Sequence, residues 1–538
     1  MIELQPAASA YDYPLLIKHL LYTPLAQTPD REIVYRDRQR FSYTTLYQRI
    51  ERLAASLKAG GIRPGDTVAI MDWDSHRYLE CFFAVPMMGA VLHTINVRLS
   101  PRQILYTINH AEDDLILTHR DFMPVIDEIR GEFEKDIRIL VLNDEYEPML
   151  AAAGSDPDFR GFAFPDFEET RRATTFYTTG TTGLPKGVYF NHRQLVLHTL
   201  SGLGVLGWTA GHGRFHRDDV YMPITPMFHV HGWGIPYIAT LMGVRQVYPG
   251  RYEPELLLEL IEREKVTFSH CVPTILHMLL NHPKAEQTDF SHWKVIVGGA
   301  ALPQGLAKQA LARGIDIFAG YGMSETCPLL SVSQLTSEML NGDPDEQVRM
   351  RCKTGRAVPL VELRVVDEAM NDVPRDAQTA GEVVVRAPWL TPGYLKETER
   401  SDELWRNGYL HTGDIATIDV DGYLQVTDRI KDVIKSGGEW ISSLELEGII
   451  SQHDGVSQVA VIGIADSKWG ERPLALIVPA PDANIDAESV KALVGAYVKQ
   501  GILSRWAIPE RVEFVDAIAQ TSVGKIDKKL LRQQYGQG

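Results

Sequence analysis

Cysteine is scarce: the 538 residues hold four, Cys81, Cys271, Cys327 and Cys352. No two share a Cys-x-x-Cys spacing, which argues against a thiolate metal site or a redox pair and suits a reduced compartment. Blocks of one charge are absent too. The balance is acidic, −16 at pH 7, with both signs mixed along the chain, so a nucleic acid is not an expected partner. Long apolar runs are also missing. The most apolar stretch, residues 78 to 95, is interrupted by Glu80 and His93 and reads as a buried helix, not a membrane span. The N-terminus lacks a basic segment followed by an apolar run, and Tyr535 to Gly538 carries no lipidation or peroxisomal signal. A cytoplasmic protein without a transmembrane segment is expected.

What is present is length, 538 residues of which 44% are hydrophobic, more than one core usually accommodates, so two or three domains are expected. From residue 41 to 142, helical periodicity (44 to 59) alternates with β-rich runs (67 to 71 and 137 to 142), the rhythm of a layered α/β domain. The same rhythm returns at 266 to 271 and 294 to 297. Residues 362 to 366 and 381 to 386 read as antiparallel strands of a small β subdomain. After a strand at 422 to 427 come three more, at 458 to 463, 474 to 479 and 511 to 515, with helices at 443 to 452 and 487 to 500 between them. This pattern sets a boundary near 428 to 431 and leaves a compact α+β unit of about 110 residues.

The strongest local signal is Tyr177-Thr178-Thr179-Gly180-Thr181-Thr182-Gly183-Leu184-Pro185-Lys186-Gly187. Glycines let backbone N–H groups converge on phosphate oxygens, hydroxyls add donors and Lys186 adds a compact charge. It is a phosphate cradle but not a Walker loop, because Pro185 precedes the lysine and Gly187 follows it. Gly202, Gly204 and Gly207 formally match G-x-G-x-x-G, the signature of a nicotinamide-dependent oxidoreductase. The context is wrong, since residues 194 to 200 before it look helical, and that function stays a remote alternative.

The Thr/Gly loop closely resembles the signature of adenylate-forming enzymes, the superfamily of acyl-CoA synthetases, luciferases and peptide-synthetase adenylation domains. Four further motifs agree in order. Tyr321-Gly322-Met323-Ser324-Glu325-Thr326 resembles the adenine and magnesium motif, with Ser324 where threonine is commoner. Tyr409-Leu410-His411-Thr412-Gly413-Asp414 resembles the ribose-binding segment. Asp428-Arg429-Ile430-Lys431-Asp432 with Lys435-Ser436-Gly437-Gly438-Glu439 resembles the hinge and its glycine turn, and Thr521-Ser522-Val523-Gly524-Lys525 the catalytic-lysine motif.

The resemblance implies a large N-terminal α/β domain, layered and carrying a small β subdomain (1–428), and a small mobile α+β C-terminal domain (429–538) hinged at Lys431. It implies an AMP-forming acyl-CoA ligase that uses ATP, Mg²⁺ and coenzyme A. Lys525, Lys186 and Glu325 are the implied catalytic residues, with Glu325 also the metal ligand. Thr178 to Gly183, Gly299, Ala300, Ala301, Tyr321 to Glu325, Asp414, Arg429, Lys435, Gly437, Gly438, Glu439 and Trp440 are the implied nucleotide and coenzyme A contacts. Physical reasons accompany these roles. Glu325 offers a hard oxygen for Mg²⁺, and Asp414 could hold two vicinal hydroxyls through its two oxygens. By itself Lys525 reads as a solvated tail lysine beside Lys528 and Lys529; the motif assigns it to bridging carboxylate and α-phosphate.

His229 and His231 sit in Pro226-Met227-Phe228-His229-Val230-His231-Gly232-Trp233. With no carboxylate or cysteine at useful spacing, a pocket-lining role outweighs a metal site. The segment resembles the gate of fatty-acyl-CoA synthetases, so His231 and Trp233 are expected at the acid. Trp440, where many relatives have asparagine, also points to that branch. The expected acid is an apolar monocarboxylate, 3-methylmercaptopropionate or a short- or medium-chain fatty acid, with a long-chain fatty acid as the alternative. By the same resemblance a homodimer is expected.

Overall fold

The computed structural model describes residues 7–536 except 179–183, 210, 430, 437–438, 467, 482, 501–502 and 522–524, and at 439–440 the backbone alone. Two large, mainly parallel sheets dominate it. The first runs, edge to edge, through Arg138–Val141, Leu115–Thr118, Thr67–Met71, Val91–Thr94, Arg172–Tyr177 and the antiparallel Gly187–Asn191. The second has nine strands, with Asp316–Gly322, Lys294–Val297, Phe268–Cys271, Val220–Pro223 and Arg245–Tyr248 as its parallel centre. Parallel strands need both faces covered. The helices His76–Met87, His192–Gly207 and Ile235–Met242 share one core with both sheets, whereas Pro254–Arg263 and Pro273–Leu280 cover the far face of the second and Pro101–Ala111 that of the first. Layers therefore alternate helix, sheet, helix, sheet, helix.

Local sequence explains where these helices begin. Ser42 caps Tyr43–Ala59 by accepting the Thr45 N–H, and Ser100 and Gln103 form a reciprocal capping box ahead of Pro101–Ala111. One expectation is corrected. Residues 78 to 95 are not a single buried helix: the helix ends at Met87, Gly89 turns the chain at φ +87°, and Val91–Thr94 is a strand in the first sheet. Continuous burial on all sides gives helix and parallel strand the same unbroken apolar pattern.

A third, antiparallel sheet holds Glu362–Val366, Gly381–Arg386, Tyr409–Ile418 and Leu424–Arg429. Beyond Arg429 a fourth sheet forms around the long pair Val456–Asp466 and Gly470–Pro479, with Arg511–Phe514 added in parallel. It has cores of its own, one under Ser443–Ile450 and Ala487–Lys499 and one under Lys528–Tyr535.

The G-x-G-x-x-G match lies inside the helix His192–Gly207, not in a strand-to-helix turn. A Cβ on Gly202 would meet Ile238 at 2.5 Å, so that glycine serves close helix packing. Gly204 would make only an ordinary 3.7 Å contact, and Gly207 faces open space. Gly204→Ala is expected to stabilise the fold by about 0.5–1 kcal/mol, the usual helix-interior gain over glycine, and Gly207→Ala, at the last residue of the helix, by less. A rise in thermal melting temperature checks this; a fall would mean that these glycines serve a turn.

Candidate active site

Short segments leave the C-terminal ends of adjacent parallel strands and meet in one crevice, the usual place for a ligand in an open α/β sheet. Gly298 and Gly299 follow Lys294–Val297, the turn Ser324–Thr326 follows Asp316–Gly322, and Val272 follows Phe268–Cys271. Opposite them stands the fourth sheet's unit. A cleft of about 1070 Å³ separates the two, lined on one side by Gly299, Ala300 and Ala301 and on the other by Lys431, Lys525 and Lys528. Arg429 also lines it.

Lys525 reaches across this cleft. Gly299 has φ +75°, and a Cβ there would lie 3.1 Å from Cε of Lys525 and 3.2 Å from Val272. The missing side chain lets the lysine stem rest on backbone. Its ammonium is drawn down to about 8, first by burial and then by the nearby Arg429 charge, against the opposing pull of Asp414 and Glu325. Thr521 holds the base of this turn, its N–H donating to the Lys525 carbonyl at 2.7 Å while its hydroxyl accepts the Lys525 N–H at 3.2 Å.

Asp414 is 3% exposed. Both its oxygens are already engaged: Oδ2 accepts the Tyr321 hydroxyl at 2.7 Å, and Oδ1 lies 3.1 Å from Nε of Arg429. A diol at this carboxylate would therefore use its remaining lone pairs or displace Arg429. Glu325 is 7% exposed, and its Oε1 accepts the Tyr394 hydroxyl at 2.7 Å. The Tyr394 ring also carries Lys186, whose Nζ lies 4.3 Å from the ring centroid. Tyr394 thus joins two residues singled out in the sequence. Nothing in its own segment, Thr391-Pro392-Gly393-Tyr394, marked it beyond a turn.

Glu325 leaves Oε2 without a protein hydrogen bond among the described residues, and no group of three His, Cys, Asp or Glu residues there is gathered to hold a metal. A single carboxylate oxygen fits Mg²⁺ of the kind that takes its other ligands from phosphates and water. Gly322 cannot be replaced without moving the backbone, because a Cβ would sit 1.8 Å from the Pro328 carbonyl oxygen. Met323 donates its N–H to the Thr326 hydroxyl at 3.0 Å, and Ser324 opens the turn, half-buried. Thr178 donates its N–H to the Lys186 carbonyl at 2.9 Å and so closes the base of the Thr/Gly loop. Thr179 to Gly183, Gly437 and Gly438 lie outside the described residues, as do the Glu439 and Trp440 side chains. Lys435 is exposed on Ile434–Ser436 and does not line the cleft.

Residues 230 to 234 form a left-handed turn, with φ of 48° at Val230, 55° at His231, 58° at Gly232, 59° at Trp233 and 71° at Gly234. The turn lays the Trp233 ring against Gly298, where a Cβ would come within 3.1 Å, and tilts it over His270 at 5.1 Å between centroids. His231 points into the core instead, its Nε2 bonded to the Thr174 hydroxyl at 2.9 Å. Burial drives His229, His231 and His270 down to about 3, so all three imidazoles are neutral at physiological pH.

Residues 22–395 match the family model for AMP-binding enzymes, and residues 445–525 match the model for their C-terminal domain. The chain belongs to the AMP-binding enzyme family. This AMP-binding enzyme is 41% identical over 505 residues to a long-chain-fatty-acid–CoA ligase of Thermus thermophilus, covering 92% of this chain and 90% of that one. It is 37% identical over 498 residues to a 3-methylmercaptopropionyl-CoA ligase of Ruegeria pomeroyi, covering 90% of each. Among solved structures, ATP-bound MatB from Rhodopseudomonas palustris superposes with a TM-score of 0.83 at 26% identity, covering 98% of this chain and 99% of that one.

In the free enzyme the Lys525 ammonium is depressed, so its charge is present below about pH 8 and is lost as pH rises through that value. The kcat/KM for ATP-dependent pyrophosphate release is expected to fall on that alkaline limb. Lys525→Arg keeps a permanent charge and is expected to move the limb upward by a unit or more. An alkaline limb unchanged in the arginine variant would assign it to another group.

Proposed function

We infer that this AMP-forming acyl-CoA ligase takes an apolar monocarboxylate, with 3-methylmercaptopropionate and short- or medium-chain fatty acids ahead of long-chain ones. The enzyme uses ATP, Mg²⁺ and coenzyme A. In the first half-reaction the acid's carboxylate oxygen bonds to the α-phosphorus of ATP, and the bond to pyrophosphate breaks with its electron pair on the leaving group. In the second the coenzyme A sulfur bonds to the acyl carbon and AMP departs. The acid arrives ionised, so no side-chain nucleophile is needed.

The observation that carries the acid class is the wall around Trp233. Gly298, Gly299 and a neutral His270 meet its ring and are themselves uncharged, while the Lys525 that rests on Gly299 is assigned to the reacting carboxylate. The two relatives' names, one a long-chain fatty acid and one a short thioether acid, support both ends of the range.

In this reading Lys525 bridges the carboxylate and the α-phosphate as their negative charges converge. Lys186 and the Thr/Gly loop hold the β- and γ-phosphates, Asp414 the ribose, and Gly299 to Ala301 with Tyr321 the adenine. Glu325 would hold Mg²⁺, which when bound would neutralise charge on the phosphates. His231 positions the turn that presents Trp233 to the acyl chain. Lys435, Gly437, Gly438, Glu439 and Trp440 serve the coenzyme A step. The enzyme is placed in the cytoplasm, which four free cysteines suit, and as a homodimer, which rests on the resemblance alone.

A panel of acids assayed for pyrophosphate release tests the acid class, and Trp233→Ala is expected to reorder the panel by chain length. Each methylene changes binding by about 1–3 kcal/mol, so reordering is readable as tenfold or larger changes in kcat/KM. A uniform loss across all acids would make Trp233 a core residue.

The two domains are proposed to divide at 428/429 and to pivot at Lys431. The contacts flanking that point support this: Arg429 pairs with Asp414, while Asp432 pairs with Arg532 of the C-terminal helix at 2.7 Å. Asp428 accepts the Ser443 N–H at 2.7 Å and the Ser443 hydroxyl at 2.6 Å. Proline fixes φ near −65° and removes a donor. Lys431→Pro is therefore expected to keep pyrophosphate release within severalfold of normal while thioester formation from supplied acyl-AMP falls a hundredfold or more. Normal thioester formation would rule out a pivot at this residue.

A further inference from the structure

The C-terminal unit also touches the rest of the molecule away from the strand that leads into it. Helix Ser443–Ile450 ends against the first turn of helix Gln304–Ala312: a Cβ on Gly305, the second residue of that helix, would lie 2.3 Å from the Ser451 carbonyl oxygen and 3.1 Å from its carbon. Beside this contact, Nε2 of His277 on Pro273–Leu280 lies 3.2 Å from the Ser457 hydroxyl on Val456–Asp466. Gly305 has no positive φ that would call for glycine on backbone grounds, and glycine weakens a helix relative to alanine. What it provides is a closeness of two backbones that any side chain would prevent. The helix ends that meet there carry opposite partial charges, which favours the contact.

The segment that holds Gly305 meets the unit at a second point, because Gly299 supports the stem of Lys525. The two points are joined through the unit's own sheet. Val459 and Val461 of Val456–Asp466 belong to one of its cores and Ala460 and Ile462 to the other, against which Ile526, next to Lys525, is packed. A displacement at Ser451 is therefore carried to Lys525. Ordinary contact begins at 3.4 Å, so a methyl group on Gly305 asks the unit to withdraw by about 1 Å. A misplacement of about 1 Å at a reacting centre costs on the order of a hundredfold in rate.

We propose that Gly305 is a positioning residue for the first half-reaction, its missing side chain seating the C-terminal unit where Lys525 reaches the carboxylate and the α-phosphate. This rests on the role given to Lys525 above and on the pivot of the unit. The second half-reaction uses the other orientation of the unit and does not need this contact.

Gly305→Ala in the full-length enzyme tests it, with the acid that gives the fastest pyrophosphate release in the panel above. Pyrophosphate release is expected to fall about a hundredfold, while thioester formation from the supplied acyl-AMP stays within about threefold of normal and the melting temperature does not fall. Ser457→Phe enlarges the opposite face of the same contact; it is expected to give the same split and decides the matter if Gly305→Ala does not fold. Lys525→Ala, run alongside, reports on the reading beneath the proposal: pyrophosphate release that survives there overturns the role of that lysine, and the proposal with it. Release that is lost there but stays within about threefold of normal in a folded Gly305→Ala enzyme overturns the proposal alone. So does an equal fall of both half-reactions in that enzyme.

Discussion

One carboxylate holds the crevice together. Asp414 sits on Tyr409–Ile418 in the antiparallel sheet, accepts from Tyr321 at the end of a strand of the nine-stranded sheet, and pairs with Arg429, the last residue of the neighbouring strand Leu424–Arg429. Two sheets of the fold, and the strand that leads into the C-terminal unit, therefore meet on two oxygen atoms. Asp414 is 3% exposed, so removing the Tyr321 hydroxyl leaves one of its oxygens short of a hydrogen bond, a loss of about 1–3 kcal/mol. If the ribose of ATP binds here as proposed, it shares this carboxylate with Arg429, the residue next to the proposed pivot. Nucleotide binding and the stance of the C-terminal unit then draw on the same lone pairs.

The acidic balance of the chain makes this arrangement necessary. Two anions must approach one another at the crevice, yet a chain of net charge −16 repels both. The cations that offset this are kept apart by partners. Arg429 is held by Asp414 and Lys186 by the Tyr394 ring. Lys525 rests on Gly299 with its proton loosened by burial and by Arg429. If Lys525 meets the phosphates as proposed, the charge that it carries below about pH 8 is opposed by theirs, so the attraction is greatest for the complex that reacts.

Much of this was legible in the sequence where local rules decide. Strands such as Thr67–Met71, Lys294–Val297, Glu362–Val366 and Gly381–Arg386 fall at the residues that periodicity indicated, and the motif residues Arg429, Lys431 and Lys525 line the cleft. Burial on every side hid the break at Gly89, since a buried helix and a buried parallel strand carry the same apolar run. The prior engagement of Asp414 by Tyr321 and Arg429 was hidden because those residues lie 93 and 15 positions away along the chain. Tyr394 was missed for a related reason: an aromatic serving both a cation and a carboxylate looks in sequence like any core tyrosine.

The left-handed turn at 230 to 234 was not legible at all. Each non-glycine residue in that conformation costs about 1–2 kcal/mol, so Val230, His231 and Trp233 together cost about 3–6 kcal/mol. Packing holds the turn there. Val230 is 1% exposed, His231 packs edge-on against Phe176 at 5.1 Å and bonds to Thr174, and the preceding Phe228 carbonyl accepts the Thr94 hydroxyl at 2.9 Å. The Met227 N–H is fixed in turn by Asp74 at 2.9 Å. A segment held from so many sides can keep backbone angles that it would not adopt alone. What the strain achieves is the direction of one side chain. A right-handed continuation through His231 would turn Trp233 away from Gly298 and Gly299, whose missing side chains leave the space that its ring fills.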